Sequence, residues 1–316
     1  MASAISSDDP LTHEYIGDAG GWDGARQFIR KCLRADVVIL NTDQEKLALA
    51  CLLRWLLPMV RFKLVSVDLI LRTPKTTTAC LKALIKRILF LRVDRFILYF
   101  KDIRGYERHY GITPKRAAYI PFKVNGWENI SSWPDKSADG DYVLCAGRTL
   151  RDIETFVEAM RRVNCPGVLL QQKRELLAAH GTSAWSGELP PNLKLIVDEG
   201  DRLEDYLNFI AKARLMVIPR FRDDIAPTGI STYLVAMALN KCVIISEGPG
   251  ANDVLTDQAV IIPTGEAGAL AQQIELLWND QALRSDIAAR GNRYAHALEG
   301  EQRLFSDILR VSLAAR

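Results

Sequence analysis

No two of the six cysteines (Cys32, Cys51, Cys80, Cys145, Cys165, Cys242) form a C-x-x-C pair, and the four histidines (His13, His109, His180, His296) lie scattered without ligand spacing. These absences argue against a disulfide frame, a thiol redox motif and a zinc cluster. Free, mostly buried thiols in a reducing cytoplasm are expected, with no metal. A signal peptide is not expected either, because MASAISSDDPLTHEY is polar and acidic. The most apolar run, Leu47 to Val60, is too short to span a bilayer and is broken by Arg54 and Pro58. Internal repeats and low-complexity tracts are also absent, which argues against solenoids and arrays. The chain is expected in the cytoplasm.

With 316 residues and 48% hydrophobic content, the sequence can bury two cores of ordinary domain size. The small net charge hides an uneven distribution. Residues 1–25 carry five acids and no base, residues 26–123 carry 21 Lys/Arg against seven Asp/Glu, and residues 124–316 carry 20 against 26. One half alone therefore calls for an anionic partner. Nucleic acid is not the expected one, since interleaved aromatics and recognisable binding motifs are lacking.

Short apolar runs alternate with helical patterns along the chain. Strands are expected at Val37–Leu40, Phe62–Val67, Phe96–Tyr99 and Ala118–Ile120, with helices between them. A second series of strands falls near Tyr142–Ala146, Val168–Leu170, Leu193–Val197, Leu215–Ile218, Val243–Ile245 and Ala259–Ile262. Such alternation predicts α/β architecture with parallel sheets covered by helices. The Gly-, Asn-, Ser- and Pro-rich stretch between the two series reads as a linker. The expected division is a basic domain over residues 1–125, a linker over 126–140, a second domain over 141–295, and a C-terminal amphipathic segment over 296–316 that packs back on the first. Two Rossmann-like domains facing across a cleft are expected.

The stretch from Arg214 to Leu255 is the most informative. Its apolar run to Ile218, polar loop, small-residue helix Ser231–Leu239, second apolar run Val243–Ile245 and Gly248–Gly250 loop spell a βαβ unit. Both loops then leave the carboxyl ends of parallel strands, where open α/β sheets bind ligands. Thr228, Gly229, Ile230, Ser231 and Thr232 stand at the helix start, where unbonded amides and the helix dipole favour an anion. Ordinary capping by Ser231 is the competing account. At the helix end Asn240 occupies the place of a left-handed cap. On the same sheet edge, Gly147 lets a phosphate approach the backbone, and Arg148 with Arg151 one turn on can bind it, with solvated surface arginine as the competing account. Asp223 and Asp224 could accept hydrogen bonds from a sugar or ribose; plain solvation is the alternative.

YVLCAGRTLRDIETFVEAM, STYLVAMALNKCVIIS, EGPGANDVL and VIIPTGEAGALAQQIELLWNDQALR together resemble the C-terminal half of family 4-like glycosyltransferases of the two-Rossmann (GT-B) type. RADVVILN, FKLVSVD, VDRFILYF and YGITPKRAAYIPFKVN resemble the N-terminal half more loosely. The resemblance implies transfer of a sugar from a nucleotide-sugar, held mainly by the C-terminal domain, to an acceptor on the N-terminal one, with no cofactor. Gly147 and Arg148 would face the donor diphosphate, Arg151 would lie near it, and Gly229 to Thr232 would hold phosphate. The chain departs from the family at its E-x7-E signature, whose positions hold Pro227 and Val235; Asp223 or Asp224 would have to substitute. Asp68, ending an N-terminal strand, is the candidate base, with helix capping as the alternative, and Asp224 is the second candidate catalytic acid.

Thr76 to Arg95 mixes Leu81, Leu84, Ile85 and Ile88 on one face with Lys82, Lys86, Arg87 and Arg92. An interfacial helix on the anionic inner face of a membrane has this pattern, and so does a core helix with a solvated basic face. The expected function is thus a glycosyltransferase acting on a glycan or lipid-linked acceptor in polysaccharide or glycoconjugate assembly. Three other readings remain: a catalytically silent nucleotide-sugar or glycan binder, a non-hydrolysing epimerase of the same build, and a nucleic-acid binder.

Overall fold

The structure, a computed structural model, describes residues 21–134, 139–198, 202–222 and 225–314. The described chain forms two compact units. One comprises the residues up to Leu98, Ile103–Ile120 and those from Leu304 on; the other comprises Tyr99–Asp102 and Pro121–Arg303.

The first unit holds a four-stranded parallel sheet in the order β1 (Val37–Asn41), β2 (Lys63–Val67), β3 (Arg95–Leu98) and β4 (Ala117–Tyr119). Each connection steps to the next strand through a helix: α2 (Gln44–Leu56), α3 (Thr77–Leu89) and α4 (Arg104–Tyr110). Parallel neighbours demand such crossovers, and their common hand sets the three helices on one face. Helix α1 (Gly21–Arg34) precedes the sheet, burying Phe28 and Cys32. Helix geometry begins at Gly21 and runs on through Trp22 and Asp23. Asp43 caps α2 by accepting the Lys46 amide at 2.8 Å, and Thr76 caps α3 by accepting that of Ala79 at 3.2 Å.

The second unit is a six-stranded sheet in the order β10-β9-β8-β5-β6-β7. Its strands are β5 (Tyr142–Cys145), β6 (Gly167–Gln172), β7 (Leu193–Asp198), β8 (Ala213–Ile218), β9 (Cys242–Ser246) and β10 (Val260–Ile262), all parallel. Leu215 to Ile218 and all of β9 are buried, the continuous apolar signature of strands covered on both faces. Helices α6 (Ile153–Met160) and α10 (Ala267–Asn279) close one core over this sheet through Phe156, Met160, Leu270 and Ile274. Each such side chain is worth about 1.5–3 kcal/mol on burial.

Helix α9 (Ile230–Ala238) joins β8 to β9 and is buried along nearly its whole length. It ends at Asn240, φ 59°, where the Asn240 and Lys241 amides donate to the Met237 and Ala236 carbonyls, the paired bonds of a left-handed helix stop. The βαβ unit read from the sequence is therefore present, with Leu215 beside Cys242 in register. Helices α8 (Leu203–Ala211) and α11 (Gln281–His296) complete the expected set.

Two helices were not expected. Helix α5 (Trp127–Ser131) stands inside the 126–140 stretch read as linker, held by buried Ile130 and by Trp127 packed edge-on to His296 at 5.0 Å. Helix α7 (Arg174–Ala179) is a short turn after β6. The C-terminal amphipathic segment is interrupted at Glu299, φ 50°, so that α12 (Glu301–Ala314) is a separate helix. In the first unit the Lys63 ammonium donates to the Ser312 carbonyl. All six cysteines are free, and every one but Cys80 is buried.

Candidate functional site

From β5 the chain of the second unit moves outward through β6 and β7, then returns to lay β8 on the other side of β5. The β5–β8 junction is thus the topological switch point, and loops leaving the carboxyl ends of these two strands form a crevice without a crossover to fill it. Gly147 lies in the first loop, Thr228 and Gly229 in the second. An antiparallel bridge between Arg151 and Arg220 ties the two loops together.

Arg151 is the centre of this place. The side chain is 3% exposed, yet no carboxylate of the described residues lies within ion-pair distance. Its Nε donates to the Ala146 carbonyl at 3.2 Å, Nη1 to the Thr149 carbonyl at 2.8 Å, and Nη2 to the Thr232 hydroxyl at 3.1 Å. Burial pulls its pKa down, with Cys145 and Tyr206 opposing. A guanidinium stays charged in a protein, so its charge is met here only by dipoles. Of the two glycines, Gly147 is the one its guanidinium requires. A Cβ on Gly147, φ 108°, would come 2.5 Å from Nη2, and one on Gly229, φ 91°, would lie 3.9 Å from the same nitrogen and 2.8 Å from Ile218.

The loop carrying Arg151 is fixed from behind. The Thr182 hydroxyl accepts the Arg151 amide at 3.0 Å and donates to the Arg148 carbonyl at 2.6 Å. Asp152 caps α6, accepting from the amide and hydroxyl of Thr155 at 3.1 and 2.7 Å. Arg151 is therefore a loop residue ahead of the helix, which begins at Ile153. Arg148 itself is exposed.

Helix α9 begins at Ile230 with Gly229 as its cap residue, so the expected alternative of capping by Ser231 does not hold. Gly229 offers no side chain to the first-turn amides, and those of Ile230, Ser231 and Thr232 have no partner inside the helix. The Thr228 hydroxyl, 2% exposed, has no hydrogen-bond partner among the described residues. Gly147, Arg151, Thr228, Gly229 and Thr232 are thus brought together. The assembly is a concentration of positive potential and unused donors at a switch point, suited to an anion.

Tyr206, on α8, was not found in the sequence. Its hydroxyl is hydrogen-bonded with Thr232, and burial raises its pKa while Arg151 works against the rise. Pro227 and Val235, the positions of the missing acidic pair, carry no charge, and Val235 is buried within α9. Asp223 and Asp224 lie outside the described residues.

In the first unit, Asp68 ends β2 in a left-handed conformation, φ 52°. Helix α3 is capped by Thr76, so Asp68 is not the cap that the sequence left open. Burial pushes its carboxyl up to about 7, and no ion pair relieves it among the described residues. A strained, desolvated carboxylate at the carboxyl edge of a parallel sheet is poised for proton transfer near neutral pH. The basic residues read as membrane-facing lie on or just after α3. Lys82 and Arg87 are exposed; Lys86 is half-buried and reaches Gln44 at 2.6 Å; Arg92 stacks on Trp55 at 4.1 Å. No helix of the described residues is long and apolar enough to cross a membrane.

Residues 184–294 match the family described as Glycosyl transferases group 1. No curated protein matches the sequence. Among solved structures, HepE of Anabaena in complex with UDP is similar over 93% of this chain and 82% of its own, at 14% identity and a TM-score of 0.68. Sucrose-phosphate synthase of Thermosynechococcus elongatus is similar over 93% and 79%, at 18% identity and a TM-score of 0.64. Trehalose 6-phosphate synthase of Burkholderia multivorans is similar over 92% and 75%, at 15% identity and a TM-score of 0.63. At these identities the likeness is one of fold. The chain has the α/β, two-Rossmann GT-B fold, and its resemblance to glycosyltransferases of that type is borne out.

Proposed function

We propose that the protein is a glycosyltransferase that moves a hexosyl or related group from a nucleotide-sugar to a glycan or lipid-linked acceptor, without a metal, in polysaccharide or glycoconjugate assembly. The observation that carries this reading is Arg151, a buried guanidinium with no carboxylate partner among the described residues, set between two glycine loops at a sheet switch point. The UDP and UDP-glucose held by HepE make a uridine donor the first to test.

In this reading Gly147 and Gly229 let the donor diphosphate reach the backbone. Arg151, the first amides of α9 and the Thr228 and Thr232 hydroxyls stabilise the charge that builds on it as the sugar departs. Arg148 sits at the exposed mouth, while Asp223 and Asp224 supply acceptors for the nucleoside or sugar, with Asp224 also the second catalytic candidate. Asp68 takes the proton of the acceptor hydroxyl, a role suited to a carboxyl titrating at about 7. A lipid-linked acceptor would hold the chain at the inner face of a membrane.

A second reading, binding without transfer, is favoured by the apolar residues at positions 227 and 235. A panel of nucleotide-sugars with glycan and lipid-linked acceptors separates the two. Acceptor-dependent release of nucleoside diphosphate that persists in a chelator is expected for the transferase; tight binding with no release in the presence of acceptors would contradict it.

A further inference from the structure

Helix α3 is mounted with its apolar face outward. The side toward the rest of the unit is formed by Ala79, Ala83, Lys86 and Phe90, at helical spacing, and Ala83 is the only residue of the helix that is fully buried. The opposite side carries Leu81, Leu84, Ile85 and Ile88, each at least half exposed, with Leu91 at 61% following. Lys82 and Arg87 flank this stripe, one on each side. The core-helix alternative left open by the sequence is thereby excluded, because the large aliphatic side chains face away from the core.

The stripe continues onto α2. Leu52, Trp55, Leu56 and Leu57 are exposed, and Met59 beyond them is 89% exposed. The two helices lie side by side, joined by Lys86 on Gln44 and by the Arg92 guanidinium on the Trp55 ring. Monomeric proteins rarely leave so contiguous an apolar surface to water. The α3 part of this surface is of one charge, since from Leu69 to Val93 there are six basic residues (Arg72, Lys75, Lys82, Lys86, Arg87, Arg92) and no acidic one, while α2 adds Glu45 beside Lys46 and Arg54.

We propose that the exposed faces of α2 and α3 dock the protein on an anionic lipid bilayer, with the aliphatic stripe entering the acyl boundary and the flanking lysines and arginines meeting lipid phosphates. Charge complementarity selects this occupant. A second copy would set basic surface against basic surface. Nucleic acid would leave the aliphatic stripe unused, and a single aromatic, Trp55, offers no run of stacking platforms. A bilayer uses both components, and a tryptophan beside an arginine suits the headgroup level. The inference rests on the reading of a lipid-linked acceptor for its purpose, while docking is measurable without transfer.

The test is co-sedimentation of the full chain with phosphatidylcholine vesicles, with and without about one-third phosphatidylglycerol. Wild type is expected to bind the anionic vesicles, less so as salt rises, and the neutral ones weakly. Leu84→Glu with Ile88→Glu should lose about tenfold or more in vesicle affinity at an unchanged thermal midpoint, since both positions are solvent-exposed in the free protein. Lys82→Gln should weaken binding about fivefold and flatten its salt dependence. Absence of binding to anionic vesicles, or equal binding by the double variant, would overturn the proposal. A dimer abolished by the double variant while vesicles are ignored would assign the surface to a second copy instead. Donor turnover in solution, measured in parallel, reports on the transferase reading independently.

Discussion

Arg151 and Asp68 are ionisable groups placed where the described residues offer little to balance their charge. A buried cation without an anion costs stability unless a ligand supplies the anion, and Arg151 has none among the described residues. Asp68 pays in the same coin, because its pKa lies above that of an exposed carboxylate. The folded state then holds its proton from about pH 4 to about 7, while the unfolded chain has already released it. Stability falls as pH rises through that window, by about 1.4 kcal/mol per unit, and levels off above it. Asp68→Asn should remove this slope in thermal melts between pH 5 and 8. If Asp68 is the base, the variant also loses the limb of kcat/KM that rises through about pH 7 and about a hundredfold or more of the rate. A wild-type melt no more pH-dependent than that of the variant would remove the burial argument.

At the scale of the element, the start of α9 concentrates the site. Gly229 is required there twice over: φ 91° disfavours any side chain, and a Cβ would press on Ile218. Gly229→Ala is expected to cost about 1–3 kcal/mol in chemical denaturation. Nucleoside diphosphate affinity should fall as well under conditions where the variant remains folded, because the first-turn amides shift with the loop; full affinity would show that α9 is not the phosphate cradle. The βαβ unit around this helix was legible in the sequence, since a buried strand, a small-residue helix and a left-handed Asn240 each leave a local signature. Burial decided what was not legible. Arg148 and Arg151 are both arginines near a glycine, and only the bridge to Arg220 and the Thr182 clamp turn the second inward. Tyr206 comes from a helix far along the chain and meets Thr232 through the fold alone. For α3 the periodicity gave the apolar face correctly, but only packing shows that the face points to solvent.

Across the whole molecule, one chain carries two kinds of surface. The second unit presents a donor-rich switch point, and the first a basic, apolar platform together with a desolvated carboxylate. The order of strands makes this division possible, since a sheet that reverses direction at β5 has an open edge for a small anion, whereas one that steps evenly from β1 to β4 does not reverse. The central claim is that Arg151, which has no carboxylate partner among the described residues, receives a diphosphate. Calorimetric titration of UDP into wild type, Arg151→Lys and Arg151→Met tests it most directly. Saturable binding by wild type is predicted, weakened about tenfold or more in the methionine variant and partly retained by lysine, with all three proteins melting within a few degrees of one another. Equal affinity in wild type and Arg151→Met would contradict the claim.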